Sequence, residues 1–379
     1  MPVAPFGSYV IPGHNMWLRA VFLALAAIAA SSSAGCQILG DLQVKELITD
    51  APSSDAGSSS SDPPARDAGV ESGPPVVVLP KRGCTEGRPG ATNDCAGTRD
   101  CCERKTAPAG TFYLRTGTID DQGPDDTSRP AELSAFTMDS FEVTVGRFRA
   151  FVEAGGGVQA SAPKVGSGAH PSKAESGWRE SFLTYLPRER GELEGQLAQS
   201  RFATWSPKPE GREQHPIAGV SWFLAMAFCI WDGARLPTDA EWAYAAAGGD
   251  EQRLYPWGPD LVIDPAVWQC GDKYGSPFMY ASCSAVDLLP VGSRPNGRAR
   301  WGHEDLLGNA DEWLLDIFCA PPTRGLCKDC VTTGACFQRT SRGGDVRMLV
   351  TEAGQTYSRW RQASEPSTGK GFRCVRSTP

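Results

Sequence analysis

Histidine is scarce in this chain: His14, His170, His215 and His303 are the only four in 379 residues, and they are widely dispersed. No local histidine motif of the kind that holds zinc or iron can be read from them. His215 precedes Pro216 and reads as a turn residue; His303, beside Glu304 and Asp305, reads as a surface residue. No serine lies in a nucleophile-elbow pattern, which argues against a Ser-His-Asp hydrolase. No run rich in Lys or Arg occurs and the formal net charge is −7, which excludes nucleic-acid binding through a basic patch. The apolar run Ala20–Ala30 is too short for a comfortable membrane span. Finally, there is no cysteine between Cys336 and Cys374.

What is present is a globular composition with flexible parts: 40% hydrophobic and 21% charged residues, long enough for one large domain or two small ones. Arg19 precedes the apolar run, which ends in Ser31-Ser-Ser-Ala-Gly-Cys36. That is an export-signal pattern. It resembles a bacterial lipoprotein cleavage site, in which Cys36 is lipidated and becomes residue one; an ordinary cleaved signal peptide is the alternative. Gln37 after the cysteine then implies the outer membrane. Residues 51–75 contain no aromatics and almost no large apolar side chains. They cannot bury enough surface to offset their ordering entropy and read as a disordered tether. The expected division is a signal peptide with lipobox over 1–36, a tether over 37–80, a Cys-rich segment over 81–106 and a main domain over 107–379.

There are 13 cysteines. With Cys36 lipidated an even number remains, which in an exported chain favours disulfides. Cys84, Cys95, Cys101 and Cys102 form one cluster; Cys319, Cys327, Cys330 and Cys336 form another. Adjacent Cys101 and Cys102 are expected to take different partners. Cys327-Lys-Asp-Cys330 has CxxC spacing, open to a zinc or redox reading, but with no histidine nearby the loop-stapling disulfide is preferred.

Clear helical patterns are few. Val145, Phe148, Phe151 and Val152 predict a helix over about Val143–Glu153. Trp222–Trp231 is almost wholly apolar and predicts a buried helix ended by Gly233. Thr238 with Glu241 three residues on forms a capping-box signal for a third helix, closed by Gly248-Gly249. The remainder reads as loops and short strands anchored by 11 tryptophans.

Several pieces recur in a characteristic order: Gly110-Thr-Phe112, Met138-Asp-Ser-Phe-Glu-Val-Thr-Val-Gly-Arg-Phe148, His215-Pro-Ile-Ala-Gly-Val-Ser-Trp222, Arg235-Leu-Pro-Thr-Asp-Ala-Glu-Trp242, Tyr255-Pro-Trp-Gly258, Gly308-Asn-Ala-Asp-Glu-Trp313, Arg342-Gly-Gly344 and Gly371-Phe-Arg-Cys374. Together they resemble the formylglycine-generating enzyme, or sulfatase-modifying factor, family. The resemblance implies an α+β fold of the C-type lectin-like (formylglycine-generating-enzyme) type with little regular secondary structure. It also implies a disulfide between Cys229 and Cys374. The family's other disulfide is not expected, because Ala246 stands at its helix position. A structural calcium is implied at Asp305, the carbonyls of Gly308 and Ala310, and Glu312, an oxygen set that suits a hard cation. The family's other calcium site looks weakened, with Ala266 near a ligand position.

Active members oxidise a client cysteine to formylglycine with a copper-binding cysteine pair, whose thiolates suit Cu(I). By ungapped count those positions are Met348 and Ala353 here. One thioether cannot replace two thiolates, so neither copper nor formylglycine formation is expected. Two readings remain. In the first the chain is a surface binding or scaffold module, anchored to the membrane through lipid only, on the periplasmic or cell-surface face. Its ligand would be a protein, a peptide or a cell-wall component, gripped in a groove near Arg342, Asp345, Arg359, Trp360 and Arg361. The alternative is an oxidoreductase with displaced or altered metal ligands.

Overall fold

Short apolar stretches interrupted by glycine and proline give short elements: among the described residues, strands of two to seven residues and α-helices of eight to ten. The structure is a computed structural model. It describes residues 83–84, 87–115, 127–262, 264, 266–268, 270, 283–318, 325–335, 338–348 and 369–378, with the backbone alone for 358–362. All belong to one compact unit, Gly73–Pro379.

The strands are β1 (Arg104–Ala107), β2 (Gly110–Tyr113), β3 (Pro130–Leu133), β4 (Phe136–Asp139), β5 (Asp311–Ile317), β6 (Cys327–Lys328), β7 (Gln338–Arg342), β8 (Ser358–Gln362), β9 (Lys370–Gly371) and β10 (Val375–Ser377). They form three small sheets in the orders β1-β4-β10, β2-β3-β6 and β8-β7-β5-β9. The pairings β3 with β6 and β5 with β9 are parallel; the rest are antiparallel. β1 runs across the boundary expected at residue 106, so the Cys-rich segment and the main domain share a sheet with the C-terminal strand.

The helices are α1 (Val145–Glu153), α2 (Arg190–Leu197), α3 (Trp222–Trp231) and α4 (Asp239–Ala247). α1 begins two residues later than the apolar pattern predicts, because the Thr144 side chain accepts from the Arg147 backbone N–H and sets the N-terminus there. α3 runs over the predicted residues, capped by Ser221, with every residue buried except Ile230, which is half-buried. α4 has the capping box between Thr238 and Glu241, and Gly248 closes it at φ 65°, a conformation that costs glycine little. α2 was not foreseen: only Leu193 and Leu197 mark its buried face, and two glycines weaken the pattern.

The largest apolar core joins α1 and α3 to Trp178, Phe182, Trp313 and Phe372. A second packs α4 against β2, β3 and β4. Trp222 and Trp313 are fully buried, yet each indole N–H donates to a backbone carbonyl, Leu314 at 2.7 Å and Val220 at 2.9 Å. Each ring therefore contributes its buried apolar area, roughly 1.5–3 kcal/mol for a large side chain, without orphaning its polar atom.

Disulfides fix the loops. Cys84 pairs with Cys102, Cys95 with Cys101, Cys270 with Cys283, Cys327 with Cys330, and Cys229 with Cys374. Cys101 and Cys102 thus take different partners. Cys229 and Cys374 tie α3 to the residue before β10 across a separation of 145. Cys36, Cys319 and Cys336 lie outside the described residues. A buried ionic network adds to these ties. Arg147, fully buried, donates to Asp139 at 3.0 Å and Asp232 at 3.2 Å, and Gly83 N–H donates to the same Asp232. The start of the described chain is thereby held to the end of α3.

Candidate functional site

The loop Asp305–Asn309 enters β5 through three left-handed residues, Asp305 (φ 57°), Gly308 (φ 83°) and Asn309 (φ 58°). A Cβ at Gly308 would collide with the Val267 carbonyl, so only glycine lets the loop lie this close to residue 267. The turn brings Glu304, Asp305 and Glu312 into the interior beside Glu142, and each side chain is buried.

One cation dominates this cluster. Arg373 is fully buried and donates to both carboxylate oxygens of Glu312, at 2.7 and 2.8 Å, and to the carbonyls of Asp139, Ser140 and Glu304. Trp242 Nε1 donates to Glu312 as well, at 3.0 Å. Glu304 is paired with Arg99 and Arg298. Glu142 and Asp305 have no cationic side chain within ion-pair distance among the described residues. Glu142 accepts from the Ala310 N–H and from Asn309 Nδ2; Asp305 accepts from the Gly292 N–H. Burial, with mutual repulsion added, pushes the Glu142 carboxyl well above the usual range. Burial also lifts Asp305 to about 6.

The surplus of buried carboxylates suits a hard cation in chemistry. Of the expected calcium ligands, Glu312 accepts hydrogen bonds from Arg373 and Trp242. The carboxylates left without a cationic side chain are Asp305 and Glu142. Among the described residues, one group of three metal-ligating side chains has its ligand atoms within 4.8 Å, Asp94, Cys95 and Cys101. Its two cysteines are disulfide-bonded to each other, so their sulfurs are not thiolate ligands.

His303 is not on the surface. It is fully buried beneath this cluster, and desolvation, with Arg373 nearby, lowers its imidazole to about 3. It is therefore neutral at neutral pH. His170 is also buried, with Nδ1 2.8 Å from Ser172 Oγ. Burial lowers His215.

Met348 lies in the interior with Tyr255, Ala266, Trp268 and Leu307, and is fully buried. Its thioether packs over Gly344 of the Arg-Gly-Gly turn. Ala353 falls outside the described residues. Arg342 and Asp345, expected at a groove, are both buried. Arg342 is fully buried, donates to Asp239 and to the Arg115 carbonyl, and so ties β7 to the first turn of α4. Asp345 is also buried and pairs with Arg347. Arg359, Trp360 and Arg361 lie on β8, at one end of the four-stranded sheet, opposite Ser341, Thr340 and Arg339 of β7.

Sequence reasoning gave no role to Glu142 or Arg373. Both stand inside motifs it singled out, Met138–Phe148 and Gly371–Cys374. Their apolar neighbours, Phe141 and Val143 around Glu142 and Phe372 and Cys374 around Arg373, were the available signal, since neither residue type is buried without a partner or a pKa shift.

Comparison with known proteins matches residues 96–378 to the sulfatase-modifying factor enzyme 1-like domain. The chain is 31% identical to the formylglycine-generating enzyme of Bos taurus over 234 residues, 55% of this chain and 56% of that protein. It therefore spans little more than half of that relative's length. Over 326 residues it is 28% identical to the inactive C-alpha-formylglycine-generating enzyme 2 of Mus musculus, covering 80% of this chain and 93% of that protein. Among solved structures, PvdO from Pseudomonas aeruginosa aligns with a TM-score of 0.46 and 20% identity, over 77% of this chain and 99% of that one.

Proposed function

The chain belongs to the sulfatase-modifying factor family, and from that premise we propose that it is an exported, lipid-anchored binding or scaffold module that does not make formylglycine. The observation that carries this reading is Met348. It stands where the first copper-binding cysteine would be by ungapped count, and it is a fully buried apolar side chain packed on Tyr255, Trp268 and Leu307. A thioether in an apolar pocket fills space; it does not supply the anionic sulfur pair that holds Cu(I). The chain offers no other cysteine between Cys336 and Cys374. Its extended similarity to a mouse relative named as inactive agrees with this reading.

The domain would stand off the membrane on the 37–80 tether, anchored through Cys36, and bind a protein, peptide or cell-wall ligand. With Arg342 and Asp345 in the interior, the reading takes as binding face β8, which carries Arg359, Trp360 and Arg361 and is an edge strand among the described residues. An edge strand leaves one row of backbone N–H and C=O groups for an added extended peptide. Calcium, held by Asp305 and the neighbouring oxygens, would have a structural role, neutralising buried carboxylates in the loop before β5.

The test is to incubate the copper-treated chain with oxygen and a sulfatase-type cysteine peptide, beside an active family member. An unchanged peptide and substoichiometric copper are expected. Conversion of the cysteine to the aldehyde, detected by mass, would overturn the proposal and establish the oxidoreductase reading.

A further inference from the structure

Cys327 and Cys330 are joined to each other. Both sulfurs belong to half-buried residues, and both residues line an open cleft of about 280 Å³ together with Ser172, Lys173, Lys328, Asp329, Val331 and Thr332. Of the disulfides described it spans the shortest separation, 3 residues against 6 to 145 for the others. A bond closing so short a loop constrains the unfolded chain least, so it is the one with the smallest structural value.

The loop does not depend on that bond for its shape. β6 pairs in parallel with β3, so Cys327 faces Ala131 in register. Asp329, in the left-handed region at φ 44°, is clamped on both sides. Its carboxylate accepts from the Ser134 N–H at 2.7 Å and from the Ser134 hydroxyl at 2.9 Å. Its own N–H donates to the Glu132 carbonyl, and its carbonyl accepts from the Ser172 hydroxyl at 3.0 Å. Beyond Cys330, the Thr332 N–H donates to the buried Asp316 carboxylate at 2.6 Å. The backbone at Cys327, at Asp329 before Cys330 and at Thr332 beyond it is thus held by bonds that persist when the sulfurs separate, which is what a centre that opens and closes repeatedly needs.

We propose that Cys327–Cys330 is a redox-active disulfide that exchanges with a pair of cysteine thiols on a client polypeptide docked in this cleft. A client thiolate attacks one sulfur of the pair. The Cys327–Cys330 bond breaks, a client–protein disulfide forms, and the other cysteine leaves as a thiolate. The client's second thiolate then attacks the client sulfur of the mixed disulfide. The client departs with its own disulfide, and two electrons and two protons have passed from the client dithiol to Cys327 and Cys330. Lys173 and Lys328, each salt-bridged to a neighbouring glutamate, border the cleft together with Asp329, so the client meets a lining of mixed charge.

The test uses the full chain, equilibrated across a graded series of reduced and oxidised glutathione, alkylated and mapped by mass spectrometry. Cys327 and Cys330 should become alkylated at a glutathione ratio at least tenfold less reducing than Cys84–Cys102, Cys95–Cys101 or Cys229–Cys374. Given a synthetic two-cysteine peptide in its disulfide form, the free thiol of Cys327→Ser or Cys330→Ser should attack it and be trapped as a mixed disulfide, with an unchanged near-ultraviolet circular dichroism spectrum. The wild-type chain should oxidise about one equivalent of the same peptide in its dithiol form. Opening of the pair only together with the other bridges, or wild-type chain that leaves the peptide reduced, would overturn the proposal, whatever the folding of the variants.

Discussion

Replacing Arg373 by methionine should be among the most damaging single changes to this fold, because it strands charge in the interior. Arg373 and Glu312 are both fully buried, joined by two hydrogen bonds, and three backbone carbonyls accept from the same guanidinium. Breaking a buried pair from one side costs about 3–5 kcal/mol, most of it the penalty of the charge left behind. Here that charge lies close to Glu142 and Asp305, which already repel it. The assay is urea unfolding of wild type, Arg373→Met, Glu312→Gln and the double variant. The double variant should be more stable than Arg373→Met alone, since removing both charges removes the stranded one. pH supplies a second check. Burial already raises the Glu312 carboxyl, and losing Arg373 raises it further. A carboxyl raised in the folded state binds its proton more tightly there than in the unfolded chain, so its stabilising contribution falls as pH rises. The deficit of Arg373→Met should therefore be larger at pH 8 than at pH 5. A loss below about 1 kcal/mol with no coupling to Glu312 would refute the reasoning.

Further outcomes follow from the same contacts. Replacing Cys229 and Cys374 together by alanine should lower stability by about 5 kcal/mol through chain entropy, read from the urea midpoint; an unchanged midpoint would show that the bridge adds nothing. Burial and then Asp239 push Asp316 to about 7, so the native state holds a proton that the unfolded chain has already released. Stability should fall by up to a few kcal/mol as pH rises from ~4 to ~7, and Asp316→Asn should flatten that slope; equal slopes would contradict the assignment. If calcium neutralises Asp305 and Glu142, chelation should lower the melting temperature and excess calcium restore it, and Asp305→Ala should abolish the response.

The local signals in the chain were read well because each is complete within one element. The capping box of Thr238 and Glu241, the apolar block Trp222–Trp231 and the Gly248 stop need no distant partner. α2 escaped because two leucines among polar residues and glycines carry too weak a period. His303 was misplaced for a different reason. Flanked by Glu304 and Asp305 it looks solvated, but those carboxylates are themselves drawn inside by Arg99, Arg298 and the Gly292 N–H.

By itself the sequence determined the family, the absence of cysteine between Cys336 and Cys374, and the helices whose ends and faces are encoded nearby. The tertiary structure alone decided which charges meet. Arg373 takes Glu312 across 61 residues, Glu142 takes the Ala310 N–H across 168, and Arg342 takes Asp239 across 103. Those partners hold Glu312 and Arg342 in the interior. A buried carboxylate is defined by what reaches it after the chain has closed, and no pattern of neighbours along the sequence records that.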